Sequence, residues 1–207
     1  WGPSASLIKK IIRFSSDRQI PALSRRSMRA LVAIENRVAP RPGRKVYLFA
    51  DEFTNRQEAE LGLTFARMLN RLGYEVEIPR HVESGRAAIS KGCLKLAKKF
   101  AVKNVSLLKD LISEETPLVG IEPSCILSFR DEYPDLVGKA CLLFDEFIMR
   151  EAAAGRISAA DFKPIDADIW LHGHCHQKSL VGIDKSAEAL RLIPGVAVHV
   201  IPSGCCG

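Results

Sequence analysis

Short apolar runs alternate with amphipathic segments along most of the chain, and this alternation constrains the fold more than any other feature. Three of the runs have the length and composition of buried strands: residues 45–50, 75–78 and 117–121. Residues 55–72 and 90–112 lie between them and carry apolar side chains every three or four positions, which predicts amphipathic helices. Strands that alternate with helices in this way indicate a parallel sheet covered on both faces. The sequence therefore predicts an α/β fold.

The same scheme continues towards the end of the sequence. Five further elements are expected there: helices over residues 124–132 and 138–153, strands at 168–173 and 196–201, and a helix at 185–192. In the first half, Asn55 and Glu58 have the spacing of a capping box. We therefore expect them to begin the helix that follows the first strand.

Residues 1–43 precede this alternation and are predicted to form a helical connector. Its first helix carries an apolar stripe beside basic residues, made of Leu7, Ile8, Ile11 and Ile12. Residues 40–43 contain two prolines and a glycine, which is typical of a linker. The connector is expected to lead into the α/β region either as a packed helix or as a link from an upstream module.

Composition excludes several classes of function. The 30 basic and 24 acidic residues give a formal charge of +6, but the basic residues are scattered, whereas nucleic-acid-binding proteins concentrate them on one face. The tightest cluster, Arg25, Arg26 and Arg29, is expected to be a solvated helix face. No apolar run is long enough to span a membrane, and no secretory signal is expected. We expect a cytoplasmic protein that is membrane-associated only through partners and does not bind nucleic acid.

The cysteines carry the strongest chemical signal. There are six of them: Cys93, Cys125, Cys141, Cys175, Cys205 and Cys206. In a chain expected to be cytosolic and reduced, adjacent cysteines such as Cys205 and Cys206 indicate thiolate ligands of a metal, or redox chemistry. Cys93 and Cys141 fall within predicted helices among apolar neighbours, so we expect both in the core.

An internal repeat locates the candidate site. Two pairs of segments align, residues 48–53 with 171–176 and residues 82–85 with 204–207. Glu52 then falls on Cys175, and Glu83 falls on Cys205. The separations agree, because Glu52 and Glu83 are 31 positions apart and Cys175 and Cys205 are 30 apart. Repetition of both the spacing and the intervening elements indicates two related units.

The repeat predicts two similar Rossmann-like units whose parallel sheets are related by a pseudo-twofold axis. Their expected bounds are residues 44–155 and residues 156–207, after the helical lead-in. Ligands of open α/β sheets lie at the carboxyl ends of the strands. The aligned loops fall at that end in both units, so we expect the functional site there.

Five segments of the chain resemble a known family. They are DEFTN (51–55), HVESGR (81–86), GIEPSCILSFRDEYPDL (120–136), HGHCHQK (172–178) and SGCCG (203–207). Cys175 followed by Cys205-Cys206-Gly207 is similar to the signature of the cysteine-rich CCG domain, found in the heterodisulfide reductase B subunit and in glycolate oxidase iron–sulfur subunits. Together the segments most resemble the C-terminal part of fused FAD-linked oxidase/iron–sulfur dehydrogenases of the D-lactate or 2-hydroxyglutarate dehydrogenase type.

The resemblance implies one metal site. In the family, a complete copy carries one cysteine, then a pair, then a final Cys-x-x-Cys. The second copy keeps Cys175, Cys205 and Cys206, and its final element is expected beyond Gly207, whereas the first copy keeps only Cys125. A 4Fe–4S cluster takes thiolate ligands. The implied cofactor is therefore a 4Fe–4S cluster whose ligands are drawn from Cys125, Cys175, Cys205 and Cys206.

The resemblance also implies partners. The expected partners are the flavin and ferredoxin-like domains of the same full-length chain. FAD in the flavin domain would oxidise a 2-hydroxy acid, and the present region would pass electrons on to an acceptor that the sequence does not identify. No catalytic residue is expected within residues 1–207, so this region alone should not oxidise substrate.

Two other interpretations remain open from the residues alone. Three cysteines with His174 make an ordinary structural zinc set, which would give a protein-interaction module without redox activity. The thiols could instead be core residues of a metal-free docking domain. In the degenerate copy, Asp51, Glu52 and Glu83 are expected to hydrogen-bond loop amides or Arg86 in place of the lost thiolates.

Overall fold

The computed structural model describes residues 3–15, 17–19, 22–38, 43–133 and 140–205. The strands are β1 (Arg44–Leu48), β2 (Tyr74–Glu77), β3 (Leu118–Gly120), β4 (Cys141–Leu143), β5 (Ala167–Leu171) and β6 (Val196–Val200). The helices are α1 (Pro3–Ile11), α2 (Met28–Val38), α3 (Glu52–Arg56), α4 (Ala59–Arg71), α5 (Arg86–Ser90), α6 (Leu94–Leu108), α7 (Pro123–Asp131), α8 (Phe144–Ala153), α9 (Cys175–Leu180) and α10 (Asp184–Arg191). Within these ranges, every helix is too short or too polar to cross a lipid bilayer.

The first sheet contains four parallel strands in the order β2-β1-β3-β4. Alternate side chains of β1 point to opposite faces, so Val46 and Leu48 enter one apolar cluster while Tyr47 and Phe49 enter another. Helices α2, α4 and α8 cover the first face, and α6 and α7 cover the second. A parallel sheet buried on both faces is the arrangement that the alternating sequence pattern predicts.

The second sheet consists of the parallel strands β5 and β6. Its helix α10 packs against α8 of the first sheet. At this junction, buried Gln177 donates to Asp145 Oδ2 and to Ser186 Oγ, both at 2.8 Å, and the Ser186 hydroxyl also hydrogen-bonds Asp145. These three side chains join α8, α9 and α10, so the two sheets belong to one packed body.

The α/β class, the parallel strands and most of the predicted elements are confirmed. The predicted capping box is wrong. Asp51 instead caps a separate short helix, α3, and Asn55 Oδ1 accepts a hydrogen bond from the Arg29 backbone. The helix α4 begins after Glu58, which makes no side-chain capping bond. A polar side chain used in a tertiary contact cannot also cap the neighbouring helix.

Two predicted helices are also divided differently. The helix predicted over residues 90–112 is α6, which begins only at Leu94, because the preceding helix α5 ends at Ser90 and Gly92 between the two has a positive φ of 71°. Residues 138 and 139 lie outside the described residues, and the segment then contains β4 before α8, because Cys141–Leu143 pairs with β3. A three-residue apolar strand and a helical turn have the same composition, so periodicity does not separate them.

Two predictions about burial are wrong. Cys93 was predicted in the core, but it precedes α6 and is exposed. Cys141 is buried as predicted, although it lies on a strand and not on a helix. Arg29 is half-buried and does not lie on a solvated face. Its guanidinium donates to the carbonyls of Ile78 and Pro79, at 3.4 and 2.8 Å, and burial lowers its pKa. Together with buried Met28, Arg29 fastens α2 to the sheet.

Glu151 is the centre of a buried ionic cluster in the first unit. It is 1% exposed and accepts hydrogen bonds from Tyr74 at 2.6 Å, Arg156 at 2.5 Å and Arg150 at 3.1 Å. Burial raises the pKa of Glu151, but the hydrogen bonds from Arg156 and Tyr74 outweigh burial and lower it to about 2. The charged form is therefore stabilised in the folded state, and this stabilisation is lost as the pH falls from 4.5 towards 2.

We predict that Glu151→Gln lowers the free energy of unfolding by about 2 kcal/mol at pH 7, because it leaves half-buried cations without their carboxylate. Glu77→Gln is the matched control. It breaks the exposed ion pair with Lys45 and should cost less than about 1 kcal/mol. Urea unfolding at pH 7 measures both values, and equal losses for the two variants would contradict a special role for Glu151.

Candidate metal centre

Loops from the two sheets meet beyond the carboxyl ends of the strands. Helix α7 begins three residues after β3, α9 begins four residues after β5, and the two helices pack together. Across this contact, His174 Nε2 lies 4.0 Å from Glu122 Oε1, and His176 Nε2 lies 3.5 Å from Asp131 Oδ2. The predicted position of the site, at the strand ends, is therefore also where α7 and α9 meet.

The two described cysteines of the second copy lie on neighbouring loops of one sheet. Cys175 is the first residue of α9, and Cys205 follows β6; both are exposed. Cys206, the third predicted ligand of this copy, lies outside the described residues. Exposed thiols on adjacent loops are accessible to a metal, and thiolates are the ligands that iron–sulfur clusters and zinc prefer.

Lys178 links the loops that carry these cysteines, and sequence reasoning missed it. Its Nζ donates to the Ser203 carbonyl at 2.6 Å, to Ser203 Oγ at 3.3 Å and to the Gly204 carbonyl at 3.2 Å. Gly173 makes this reach possible, because a Cβ there would lie 2.9 Å from Lys178 Cε. The position of Lys178 in the sequence could have indicated this role, since Lys178 lies one helical turn after Cys175 and therefore on the same side of the helix.

The histidines beside Cys175 lie outside the strand β5. β5 ends at Leu171, His174 is the residue before α9, and His176 lies inside that helix. The Nδ1 atoms of His174 and His176 are buried and have no hydrogen-bond partner in the described part of the chain. Nδ1 of His174 therefore makes no hydrogen bond within the described residues.

His176 also belongs to a surface group with Asp131 and Glu132, whose ligand atoms lie within 4.8 Å of one another. Glu132 already pairs with Arg86 at 2.6 Å. The three side chains therefore lie together where α7 and α9 meet, beside the cysteine loops.

The loops after β1 and β2, which the sequence repeat aligns with the cysteine loops, are joined by hydrogen bonds. Asp51 is 1% exposed and caps α3 by accepting from the amides of Phe53 and Thr54, at 3.0 and 2.9 Å. Glu52 accepts from the Ser84 amide at 3.1 Å and the Ser84 hydroxyl at 2.7 Å. The predicted bond between an acidic residue and a loop amide is confirmed for Glu52. Arg86 instead pairs with Glu132, and the Glu83 side chain is exposed.

Cys125 lies within this closed cluster of the first unit. It is fully buried in the first turn of α7, and its amide donates to Glu122 Oε2 at 2.6 Å. Burial raises the pKa of the Cys125 thiol, and the nearby carboxylates of Glu122 and Glu52 raise it further. The environment of Cys125 thus favours the neutral thiol.

Two polar residues that the sequence did not single out shape the loop after β2. Fully buried Asn104 accepts from the Val82 amide at 2.9 Å and donates to the Glu83 carbonyl at 2.8 Å. His81 Nε2 accepts from the Ala50 amide at 3.2 Å, so its Nδ1 is the donor to the Val82 carbonyl at 2.8 Å. Burial lowers the pKa of His81 to about 4. The neutral ring therefore joins the loops after β1 and β2.

The depressed pKa of His81 predicts a pH-dependent stability. Its contribution is complete above pH 6.5 and is lost as the pH falls towards 4, because the unfolded chain then binds the proton more readily. We expect a loss of about 2 kcal/mol between pH 7 and pH 5. In His81→Gln, which retains an acceptor but does not titrate, this loss should be smaller. Urea unfolding as a function of pH measures it, with the exposed His199→Gln as control; identical profiles for H81Q and the parent would refute the assignment.

Comparison with known proteins gives relatives of low identity. D-2-hydroxyglutarate dehydrogenase from Pantoea ananatis is 29% identical over 165 residues, which are 79% of this chain and 16% of that protein. One of the subunits of anaerobic glycerol-3-phosphate dehydrogenase from Escherichia coli is 24% identical over 218 aligned residues, covering 99% of this chain and 54% of that protein. Lactate utilization protein A from Macrococcus caseolyticus is 28% identical, covering 79% of this chain and 70% of that protein.

No family model and no solved structure matches the chain. The chain spans about a sixth of the length of the D-2-hydroxyglutarate dehydrogenases that it matches. The predicted relationship to dehydrogenases is therefore supported by sequence, at under 30% identity. The chain is similar to part of these oxidoreductase proteins and to a lactate utilization protein.

Proposed function

We propose that the chain is the cysteine-rich, CCG-type electron-transfer region of an FAD-linked 2-hydroxy-acid dehydrogenase. In this proposal Cys175, Cys205 and Cys206 are thiolate ligands of a 4Fe–4S cluster. The observation that carries the proposal is the pair of exposed cysteines on adjacent loops of one parallel sheet, with Lys178 joining the loops. When bound, the cluster would supply one-electron transfer, which no side chain of the chain supplies by itself.

The second unit is proposed to be a repeat of the first. β1 pairs with β2 and β5 pairs with β6 in corresponding registers, since Tyr47 lies opposite Glu77 and Trp170 opposite His199. Glu52 and Cys175 are each the first residue of the helix that follows. Gly73 and Gly195, just before β2 and β6, both have positive φ, at 89° and 84°. These matches support two units related by a pseudo-twofold axis.

A single cluster follows from the difference between the two units. In the first unit, Glu52 already joins the loops after β1 and β2 by accepting two hydrogen bonds from Ser84. A cluster there would have carboxylate and hydroxyl ligands, which hard cations prefer and iron–sulfur clusters do not. Cys125 stays a predicted ligand of the second-unit cluster, although its burial and raised pKa favour a core thiol.

The rest of the proposed function concerns the longer protein. A flavin domain of the same chain would oxidise the 2-hydroxy acid, and a ferredoxin-like domain would deliver the electrons to this region. The partners are thus domains of one cytoplasmic polypeptide, and the acceptor is a separate molecule. The names of the relatives, two dehydrogenases and a lactate utilization protein, support this assignment.

Zinc is the second candidate, and one observation favours it. His174 adjoins Cys175 and has a buried Nδ1 without a described hydrogen-bond partner. Three thiolates and one imidazole would complete a tetrahedral zinc site that holds the loops together without electron transfer. Both candidates use the same cysteines, so the nature of the metal decides between them.

We predict that the full-length protein, purified without oxygen, contains iron and acid-labile sulfide in equal amounts and absorbs broadly in the visible region. Cys175→Ser and Cys205→Ser should each lose most of the iron assigned to this region. Cys93→Ser, which alters an exposed thiol outside the site, should retain it. Stoichiometric zinc without sulfide would favour the structural module, and unchanged iron in C175S and C205S would refute the ligand assignment.

A further inference from the structure

A cavity of about 280 Å³ lies at the junction where α8, α9 and α10 meet. Side chains of these helices line it, together with side chains from α4, from the connection between β3 and α7, and from the loop that precedes β5. None of the described cysteines or histidines is among them. A concave space enclosed by several packed elements has the shape of a small-molecule site.

The walls of the cavity are apolar. Half-buried side chains form most of them, namely Met68, Ile121, Phe144, Phe162, Leu190 and Ile193. Side chains around an unfilled cavity lack dispersion contacts on one side, and an apolar ligand restores these contacts. An apolar cavity of about 150 Å³ binds benzene, so one of roughly twice that volume has room for two fused rings. The walls therefore favour a ligand with an apolar, ring-sized body.

One side of the cavity is polar, and it keeps one hydrogen-bond acceptor free. Gln177 and Asp145 are only 5% and 7% exposed. The Gln177 amide donates one N–H to Asp145 Oδ2 and the other to Ser186 Oγ, and the Ser186 hydroxyl donates to Asp145. The reverse orientation of the amide would place its oxygen against the carboxylate. Gln177 Oε1 is therefore the remaining acceptor, and it accepts no hydrogen bond from the described residues.

These hydrogen bonds determine which polar group of a ligand fits. The side-chain donors of Gln177 and Ser186 are all used within the cluster, so a ligand group that only accepts, such as an ether, finds no donor there. A hydroxyl or N–H group can donate to Gln177 Oε1, which a buried ligand would otherwise leave unpaired. The apolar walls disfavour any charged group, and the Asp145 carboxylate disfavours an anion further. The anionic 2-hydroxy acid of the proposed function therefore does not fit this cavity.

We propose that this cavity binds a small uncharged molecule with an apolar, ring-sized body and one hydroxyl or N–H group, which donates a hydrogen bond to Gln177 Oε1. The ligand contacts α8 of the first sheet and α9 and α10 beside the second, so its binding stabilises the junction between them. The inference goes beyond the proposed function and does not rest on it, because no described cysteine lines the cavity.

Isothermal titration calorimetry on the full-length protein tests the site, with 2-naphthol as the probe because it has two fused rings and one hydroxyl. The compound 2-methoxynaphthalene has the same rings and no donor, so it should bind about tenfold more weakly although it is more apolar. The anion 2-naphthoate should bind more weakly than 2-naphthol for the electrostatic reason given above. Absence of 2-naphthol binding, or equal affinity for 2-naphthol and either of the other compounds, would overturn the proposal.

Two tryptophan variants assign the binding to this cavity. Ala189 lines the cavity, so the indole of Ala189→Trp should occupy it and lower the affinity for 2-naphthol by roughly tenfold or more. Ala154→Trp is the matched control, because it adds the same side chain at an exposed position after α8, and it should bind 2-naphthol as the parent does. Metal content should be the same in both variants. Unchanged affinity in A189W would place the binding elsewhere and overturn the proposal.

A third variant tests the acceptor itself. Gln177→Leu removes Oε1, so it should bind 2-naphthol and 2-methoxynaphthalene with about equal affinity. A preference for 2-naphthol that persists in folded Q177L, as judged by circular dichroism, would contradict the role of Gln177. This substitution also removes two hydrogen bonds from the junction, and the tryptophan pair therefore tests the site without altering Gln177.

Discussion

Parallel strand pairing is the constraint on which the rest of the structure depends. β1 pairs with β2 and β3, and β5 pairs with β6, always in the same direction, so each strand is followed by a connection that returns to the opposite end. The loops at the carboxyl ends of a sheet therefore lie on one side of it. Ser84 meets Glu52 there, although the two residues are 32 positions apart in sequence.

The two units join these loops by different interactions. In the first, the half-buried carboxylate of Glu52 accepts from a backbone amide and a hydroxyl, and such charge-assisted bonds are stronger than neutral ones. In the second, the cysteines are exposed, and Lys178 supplies the described link between the loops. Under the proposed function, the metal gives the second unit the cross-link that Glu52 gives the first. The replacement of cysteine by glutamate thus preserves the connection and removes the cofactor.

Residue patterns predicted the α/β class, the strands and the positions of the polar loops, because burial imposes a period on long elements. They did not predict α9 or β4, whose six and three residues are too short for a period. Nor did they predict that Arg29 is half-buried or that Asn104 binds a loop. Those contacts join residues about 20 to 50 positions apart, and the local sequence carries no signal of the partner.

Lys178 has a second consequence beyond the link that it makes. Several thiolates gathered in one place repel one another, and a nearby cation lowers this repulsion and favours the charged form. Its ammonium is held at the Ser203 and Gly204 carbonyls, immediately before Cys205, by a side chain that begins one turn after Cys175. A cation fixed between two cysteine loops therefore stabilises their spacing and, under the proposed function, offsets the negative charge of the thiolate ligands. The loops after β1 and β2 carry no cysteines, so they only need to be held at a fixed spacing. The hydrogen bond from the Ser84 hydroxyl to Glu52 holds that spacing without a cation.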